Sequence, residues 1–258
     1  MVSSSLLDPS AFLGEPHDGR RDANAFVGEA RFDGCVTVTA WRRTDAAALL
    51  PPELVLAPRV RDTREAHPVM TLFGTQWDGV MRFAGLAWPS GPPYHEVGVA
   101  VPFVTRRDGH ALHLYMARMY ASYPPAVWAG NAYFGFSKEL AQVRWDGAHC
   151  VVTRRTGEPL VLAEVEGGAE AVAPGMFERV RVLFDLPVFG RRGDGSLACS
   201  RFDWDAGGAL VRPAHALVCH APSGDGREVL RSRDAVADAT FSVRGIRWRL
   251  SWPGHCAG

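Results

Sequence analysis

One lysine stands among 27 arginines in this chain of 258 residues. It is Lys138, with Tyr133, Phe134 and Phe136 before it and Leu140 after it. A coding bias that writes arginine wherever a positive charge suffices leaves lysine where arginine cannot substitute. An amine can lose its proton and condense with a carbonyl to form a Schiff base. A guanidinium stays charged and delocalised and is a poor nucleophile. Free lysine titrates near ~10.4, so such a site must lower that value by burial or a neighbouring cation. The apolar neighbours of Lys138 suit burial. Glu139 follows directly, but adjacent side chains on a strand face opposite ways, so it need not share the pocket. The other use of a lone lysine is a stem packed on apolar surface.

A second cluster runs from Gly91 through Tyr94, His95 and Glu96 to Pro102. Tyr94 and Glu96 are two residues apart and share one face of a strand. A phenol and a carboxylate side by side can orient a substrate and move a proton. The competing use is an exposed strand start with a solvated glutamate. His95 faces the other way and reads as structural. The nine histidines show no zinc-protease spacing. His215 and His220 flank Cys219 inside a strand-like run, so no metal site is expected. The glycine-rich stretch 190–195 lacks a phosphate-loop pattern, and Ser137 lacks a nucleophile elbow. No cofactor is implied.

Lys+Arg and Asp+Glu are both 28, giving a formal net charge of zero. The arginine pairs Arg42-Arg43, Arg106-Arg107, Arg154-Arg155 and Arg191-Arg192 are scattered, so no nucleic-acid surface is expected. The five cysteines are odd in number and include no Cys-x-x-Cys pair. That argues against a disulfide framework and for a reducing cytoplasm. The N-terminus has no basic, apolar leader, and no run is long enough to span a bilayer. No membrane association is expected.

The elements that must position these residues are mostly strands. Residues 1–30, rich in Gly, Asp, Pro and Ser, read as an extended arm before a single domain over 31–258. Period-2 alternation begins at residues 35–41. Thr44-Asp45 caps a short helix over 44–50, stopped by Pro51-Pro52. Strands are expected at 69–75, 79–87, 96–104 and 111–120. A short helix over 124–131 carries proline in its first turn. Further strands fall at 140–146, 149–155, 159–166, 197–204, 209–219 and 239–251. Apolar alternation assigns 175–188 to strand as well. Many short strands with few helices indicate an antiparallel barrel or sandwich, here a mainly β, barrel-like core.

In order and spacing these segments resemble the acetoacetate decarboxylase superfamily. The matching steps are Trp41-Arg42-Arg43-Thr44-Asp45, Pro93-Tyr94-His95-Glu96 through Val101-Pro102, Met119-Tyr120, Pro125 to Gly130, and Phe136-Ser137-Lys138-Glu139-Leu140. The resemblance covers residues 31 to 145. It implies a β-barrel-like core around a pocket, commonly in homo-oligomers. It puts Lys138 on the Schiff-base lysine and Glu96 on a pocket glutamate. Tyr94, Met119, Tyr120 and Phe136 then line the substrate site. The departures are specific. Glu139 stands where the family pattern has a second lysine. The family's substrate-facing arginine aligns near Cys35, and a further pocket glutamate near Leu72 or Thr71. A site for holding a substrate carboxylate is therefore incomplete.

The resemblance implies a lysine-imine lyase acting on a small keto acid, with aldolase- or dehydratase-type carbon–carbon chemistry ahead of true acetoacetate decarboxylation. The alternatives are an authentic β-keto acid decarboxylase and a β-barrel that binds a small ligand without chemistry.

Overall fold

The computed structural model describes residues 4–16, 25–59, 65–83, 86–167, 175–221 and 231–254. Its long strands are β1 (Phe26–Arg42), β2 (Ala66–Phe83), β3 (Tyr94–Arg106) and β4 (Ala111–Ala121). β5 (Lys138–Leu140) is short, and β6 (Pro159–Gly167), β7 (Leu210–His220) and β8 (Asp234–Ser251) complete the set used below. The helices are α1 (Arg43–Ala47), α2 (Pro124–Ala129) and α3 (Gly175–Asp185).

Strands β8, β1, β2, β3 and β4 pair antiparallel in that spatial order. The far edge of β4 receives β5 and the strand Val188–Arg191, both parallel. The result is a curled, mainly β sheet with few helices, the fold class expected from the strand pattern. β7 continues from β8 into a second sheet, pairing with β6, which pairs with His149–Thr153 and through it with Gln142–Trp145.

Strand periodicity sorts the side chains onto two faces. Phe32, Val36, Met70, Met116 and Met119 lie in one core cluster together with Phe177, Val180, Leu183 and Phe184 of α3. Cys35, Phe73, Val97 and Tyr120 point the other way, against Val143, Val152, Val161 and Val218 of the second sheet. The cavity that Lys138 lines lies on the face of the sheet covered by α3.

Three expectations are corrected. Residues 175–188 are not a strand: Gly175–Asp185 is helical, burying Phe177, Val180, Leu183 and Phe184 at helical spacing. The apolar residues there satisfy both periods, and packing across the sheet decides for the helix. The arm over 1–30 is also wrong where it is described. Residues 26–30 belong to β1, and Leu6 is fully buried in the core. Residues 1–3 and 17–24 lie outside the described residues. Finally, Cys199 is disulfide-bonded, whereas Cys35, Cys150 and Cys219 are free. The cysteine pattern thus gives no argument for a reducing compartment. No helix among the described residues is long and apolar enough to cross a membrane.

Two buried histidines tie this core to pH. His67 sits near the β2 start, its Nε2 donating to the Pro102 carbonyl at 2.8 Å. His220 ends β7, with Nε2 3.3 Å from the Thr71 hydroxyl. Burial pushes both pKa values down to about 3, helped by Arg43 and Arg59 around His67 and by Arg118 and Arg233 around His220. Both rings are therefore neutral in the fold, while the unfolded chain protonates them near ~6.5. Their contribution to stability is complete above that value and is lost as pH falls toward about 3. Each histidine should remove up to ~1.4 kcal/mol per pH unit across this window. Urea unfolding at pH values from ~7.5 down to ~4 should show the decline. A His67→Gln/His220→Gln variant should be weaker at neutral pH but lose stability with a shallower slope. An equal slope would place the acid sensitivity in other groups.

Candidate active site

The backbone ahead of Lys138 is held in place residue by residue. α2 begins after Tyr123 with Pro124 and Pro125 in its first turn, where an absent N–H leaves no bond unmade. It widens into a π-type turn, Gly130–Phe134, closed by Gly135 in the left-handed region at φ 66°. A Cβ at Gly135 would also stand 2.8 Å from the Arg191 backbone, so glycine meets both demands. Asn131 then grips the start of β5. Its Oδ1 accepts from the Lys138 N–H at 2.6 Å, and its Nδ2 donates to the Lys138 carbonyl at 2.8 Å. Gly130 leaves room for the lysine stem: a Cβ there would lie 2.6 Å from Lys138 Cδ.

β5 lies parallel to β4, with Met119 opposite Lys138 and Tyr120 opposite Glu139. Paired residues share a face, so Lys138 and Met119 point to the cavity. Glu139 and Tyr120 point away, and Glu139 Oε1 accepts from Arg154 Nε at 3.2 Å.

Inside, Lys138 Nζ donates to Glu96 Oε2 at 2.5 Å, with each side chain 9% exposed. Glu96 Oε1 accepts from Gln76 Nε2 at 3.3 Å, and Gln76 Oε1 accepts from the Trp248 indole at 2.9 Å. A polar chain thus crosses β8, β2, β3 and β5. Tyr94 stands beside Glu96, its pKa raised well above the ordinary phenol value by burial, Glu96 and Tyr123. It therefore remains a neutral phenol, able to donate a proton or a hydrogen bond.

Lys138 stands between two chambers. The inner one, about 80 Å³, is lined by Phe32, Met70, Leu72, Met116, Met119 and other apolar side chains, with Leu183 and Phe184 contributed by α3. The outer one, about 350 Å³, is walled by Trp88, Tyr123, Trp128, Tyr133 and Phe134. Gln76, Tyr94, Phe136, Lys138 and Trp248 line both. Among the described residues, no group of three or more His, Cys, Asp or Glu side chains is placed to hold a metal.

The structure thus brings together Lys138, Glu96, Tyr94, Met119 and Phe136. Tyr120 is a correction: as a substrate-lining residue it is misplaced, because its neighbour Met119 takes the cavity face and period 2 turns Tyr120 to the second core. Glu139 is outside the pocket too, so its charge says nothing about the amine. Cys35 lies on the opposite face, as does Thr71, while Leu72 lines the inner chamber. Gln76 and Trp248 were missed. Gln76 fell between strands expected at 69–75 and 79–87, but β2 runs unbroken through it, with Asp78 at φ 52°. Alternation of Ile246, Trp248 and Leu250 was the signal for Trp248.

A pair this buried should behave as a unit. Removing one partner strands the other charge, so Glu96→Leu and Lys138→Met should each destabilise by ~3–5 kcal/mol. The double variant, leaving no charge behind, should lose much less than their sum. Urea denaturation of the four proteins measures this; additive losses would mean that the two groups do not interact.

No family model matches the chain, and no curated protein matches it. Solved structures do. The enduracididine biosynthesis enzyme MppR, complexed with the condensation product of pyruvate and imidazole 4-carboxaldehyde, superposes with a TM-score of 0.58 at 11% identity, over 88% of this chain and 87% of that one. Acetoacetate decarboxylase from Legionella pneumophila gives a TM-score of 0.56 at 16% identity, over 89% and 87%. An acetoacetate decarboxylase-like enzyme from Sphingomonas wittichii gives 0.56 at 13% identity, over 90% and 94%. Similarity at these identities speaks for the arrangement of strands and helices, and by that arrangement the chain has the acetoacetate decarboxylase-like fold.

Proposed function

We propose that the chain is a lyase that forms an imine between Lys138 and a small carbonyl substrate. The observation that carries this is the Lys138 amine, 2.5 Å from the Glu96 carboxylate at the junction of two chambers. Glu96 accepts the proton that Lys138 must lose. The nitrogen lone pair attacks the carbonyl carbon, and the carbonyl π electrons move to oxygen. The alkoxide takes one proton from that nitrogen, and the carbinolamine oxygen takes a second back from Glu96 and leaves as water while the C=N bond forms, so that Glu96 is a carboxylate again. The imine nitrogen keeps one proton, and the cation draws in the electron pair released when a bond at the adjacent carbon breaks. Protonation of the resulting enamine carbon and addition of water return product and free lysine. Tyr94, neutral and beside Glu96, is suited to hold the oxygen that departs or forms.

Aldol or dehydration chemistry fits better than decarboxylation. A β-keto acid decarboxylase must hold a carboxylate, and no arginine among the described residues lines either chamber. The MppR complex, with its pyruvate–aldehyde condensation product, supports carbon–carbon bond chemistry on this fold by analogy alone, since pyruvate itself brings a carboxylate. Acetoacetate decarboxylases among the similar structures keep decarboxylation as the second reading. A cytoplasmic setting suits metabolic carbonyl substrates and belongs to the same proposal.

Borohydride should trap one substrate mass on the protein from a panel of small aldehydes, ketones and keto acids. Lys138→Arg should abolish the adduct. Glu96→Gln should slow trapping by ~100-fold, the scale of a lost general base. Gln76→Leu should slow it several-fold and alter its pH profile, because Gln76 acts only by orienting Glu96. Equal labelling of Lys138→Arg would move the adduct to the N-terminal amine and sink the assignment. Rapid, Lys138-dependent release of carbon dioxide from acetoacetate would reassign the reaction to decarboxylation.

A further inference from the structure

The inner chamber differs from the polar junction above it. Phe32, Met70, Leu72, Met116, Met119 and Phe184 supply hydrocarbon, thioether and ring surface. The polar groups gather at one end, and they already have partners. Glu96 accepts from Lys138 and Gln76, and Gln76 accepts from Trp248. In the outer chamber Glu29 pairs with Arg82 at 2.5 Å, so that arginine is already engaged by a carboxylate.

The charges then constrain the bound substrate. Lys138 and Glu96 form a neutral pair. After condensation the protonated imine carries the single positive charge and Glu96 the single negative one. A neutral carbonyl compound leaves that balance intact. A keto acid adds a carboxylate, and among the described residues no arginine lines either chamber to meet it. A buried, unpaired carboxylate is strongly disfavoured, whereas apolar surface placed against the inner chamber is favoured.

We propose that the substrate is an uncharged aldehyde or ketone whose apolar arm occupies the inner chamber, with its carbonyl carbon at Lys138. This rests on the imine reading for the bond to Lys138, but the choice between uncharged and carboxylate-bearing ligands is a property of the chamber alone. The three methionines Met70, Met116 and Met119 give the chamber a deformable wall that accepts arms of more than one shape.

The test uses matched pairs, alkan-2-ones and 2-oxo acids with the same alkyl arm, which differ in a methyl group against a carboxylate. Two readouts are taken on the full chain: borohydride trapping on Lys138, and equilibrium binding from quenching of tryptophan fluorescence. For the ketones, affinity should rise by about fourfold per added methylene until the chamber is full. Each ketone should bind at least ~10-fold more tightly than its matched oxo acid, reflecting the unpaired charge. Met116→Trp, which fills the inner chamber, should erase the chain-length gain. Leu72→Arg, which sets a cation in the inner chamber, should shift the preference toward the oxo acids. Thermal unfolding confirms that each variant is folded. Tighter binding of the oxo acids by the wild-type chain, or affinity that does not change with arm length, overturns the proposal. Ketone binding that grows with arm length but leaves no adduct refutes the imine and leaves the chamber assignment standing.

Discussion

An ammonium and a carboxylate 2.5 Å apart, each 9% exposed, are expensive to keep out of water. Their mutual attraction offsets that penalty only if the geometry is good and the remaining lone pairs are met. The surroundings of Lys138 and Glu96 answer this requirement. Gln76 fills the second oxygen of Glu96, and Trp248 holds Gln76. Asn131 fixes the lysine backbone from both sides, and Gly130 leaves space for its stem. A buried ion pair is weak evidence of stability. One assembled from five segments of chain is what the proposed imine chemistry would need, because it sets a movable proton between amine and carboxylate.

The direction in which each side chain points follows from one pairing. β5 is only three residues long, yet its parallel alignment on β4 sends Lys138 to the cavity and Glu139 to solvent. The same alignment separates Met119 from Tyr120. A shift by one residue would exchange both pairs and present a glutamate to the cavity in place of the amine. The π-type turn, the left-handed Gly135 and Ser137 at φ 46° set that register, which explains why unusual backbone conformations gather just before the lysine.

The rest of the curled sheet gives the cavity apolar walls. Inward residues of β1 to β4 and the apolar side of α3 close around the inner chamber, and the second sheet seals the opposite face. Among such apolar walls the charge of the proposed imine would be felt strongly by its neighbours. The same apolar lining penalises any further unpaired charge, so one physical property would serve both the proposed chemistry and the proposed choice of ligand.

The sequence by itself singled out Lys138 and Glu96, which the fold brings into contact, and determined the fold class. A lone lysine among arginines, and a tyrosine and glutamate two apart before an apolar strand, are local signals. Strand alternation is local too. Tertiary structure decided what local pattern leaves open. Residues 175–188 carry apolar positions compatible with either period, and only the exposed inner face of the sheet selected a helix. Gln76 looked like part of a turn until β2 proved continuous, and Trp248 joined the site from a strand more than a hundred residues beyond Lys138. Tyr120 and Met119 are indistinguishable as neighbours in sequence; the register of β5 on β4 assigned one to the cavity and the other to the second core. Which faces meet, and which charges stay paired out of water, are long-range facts fixed by packing.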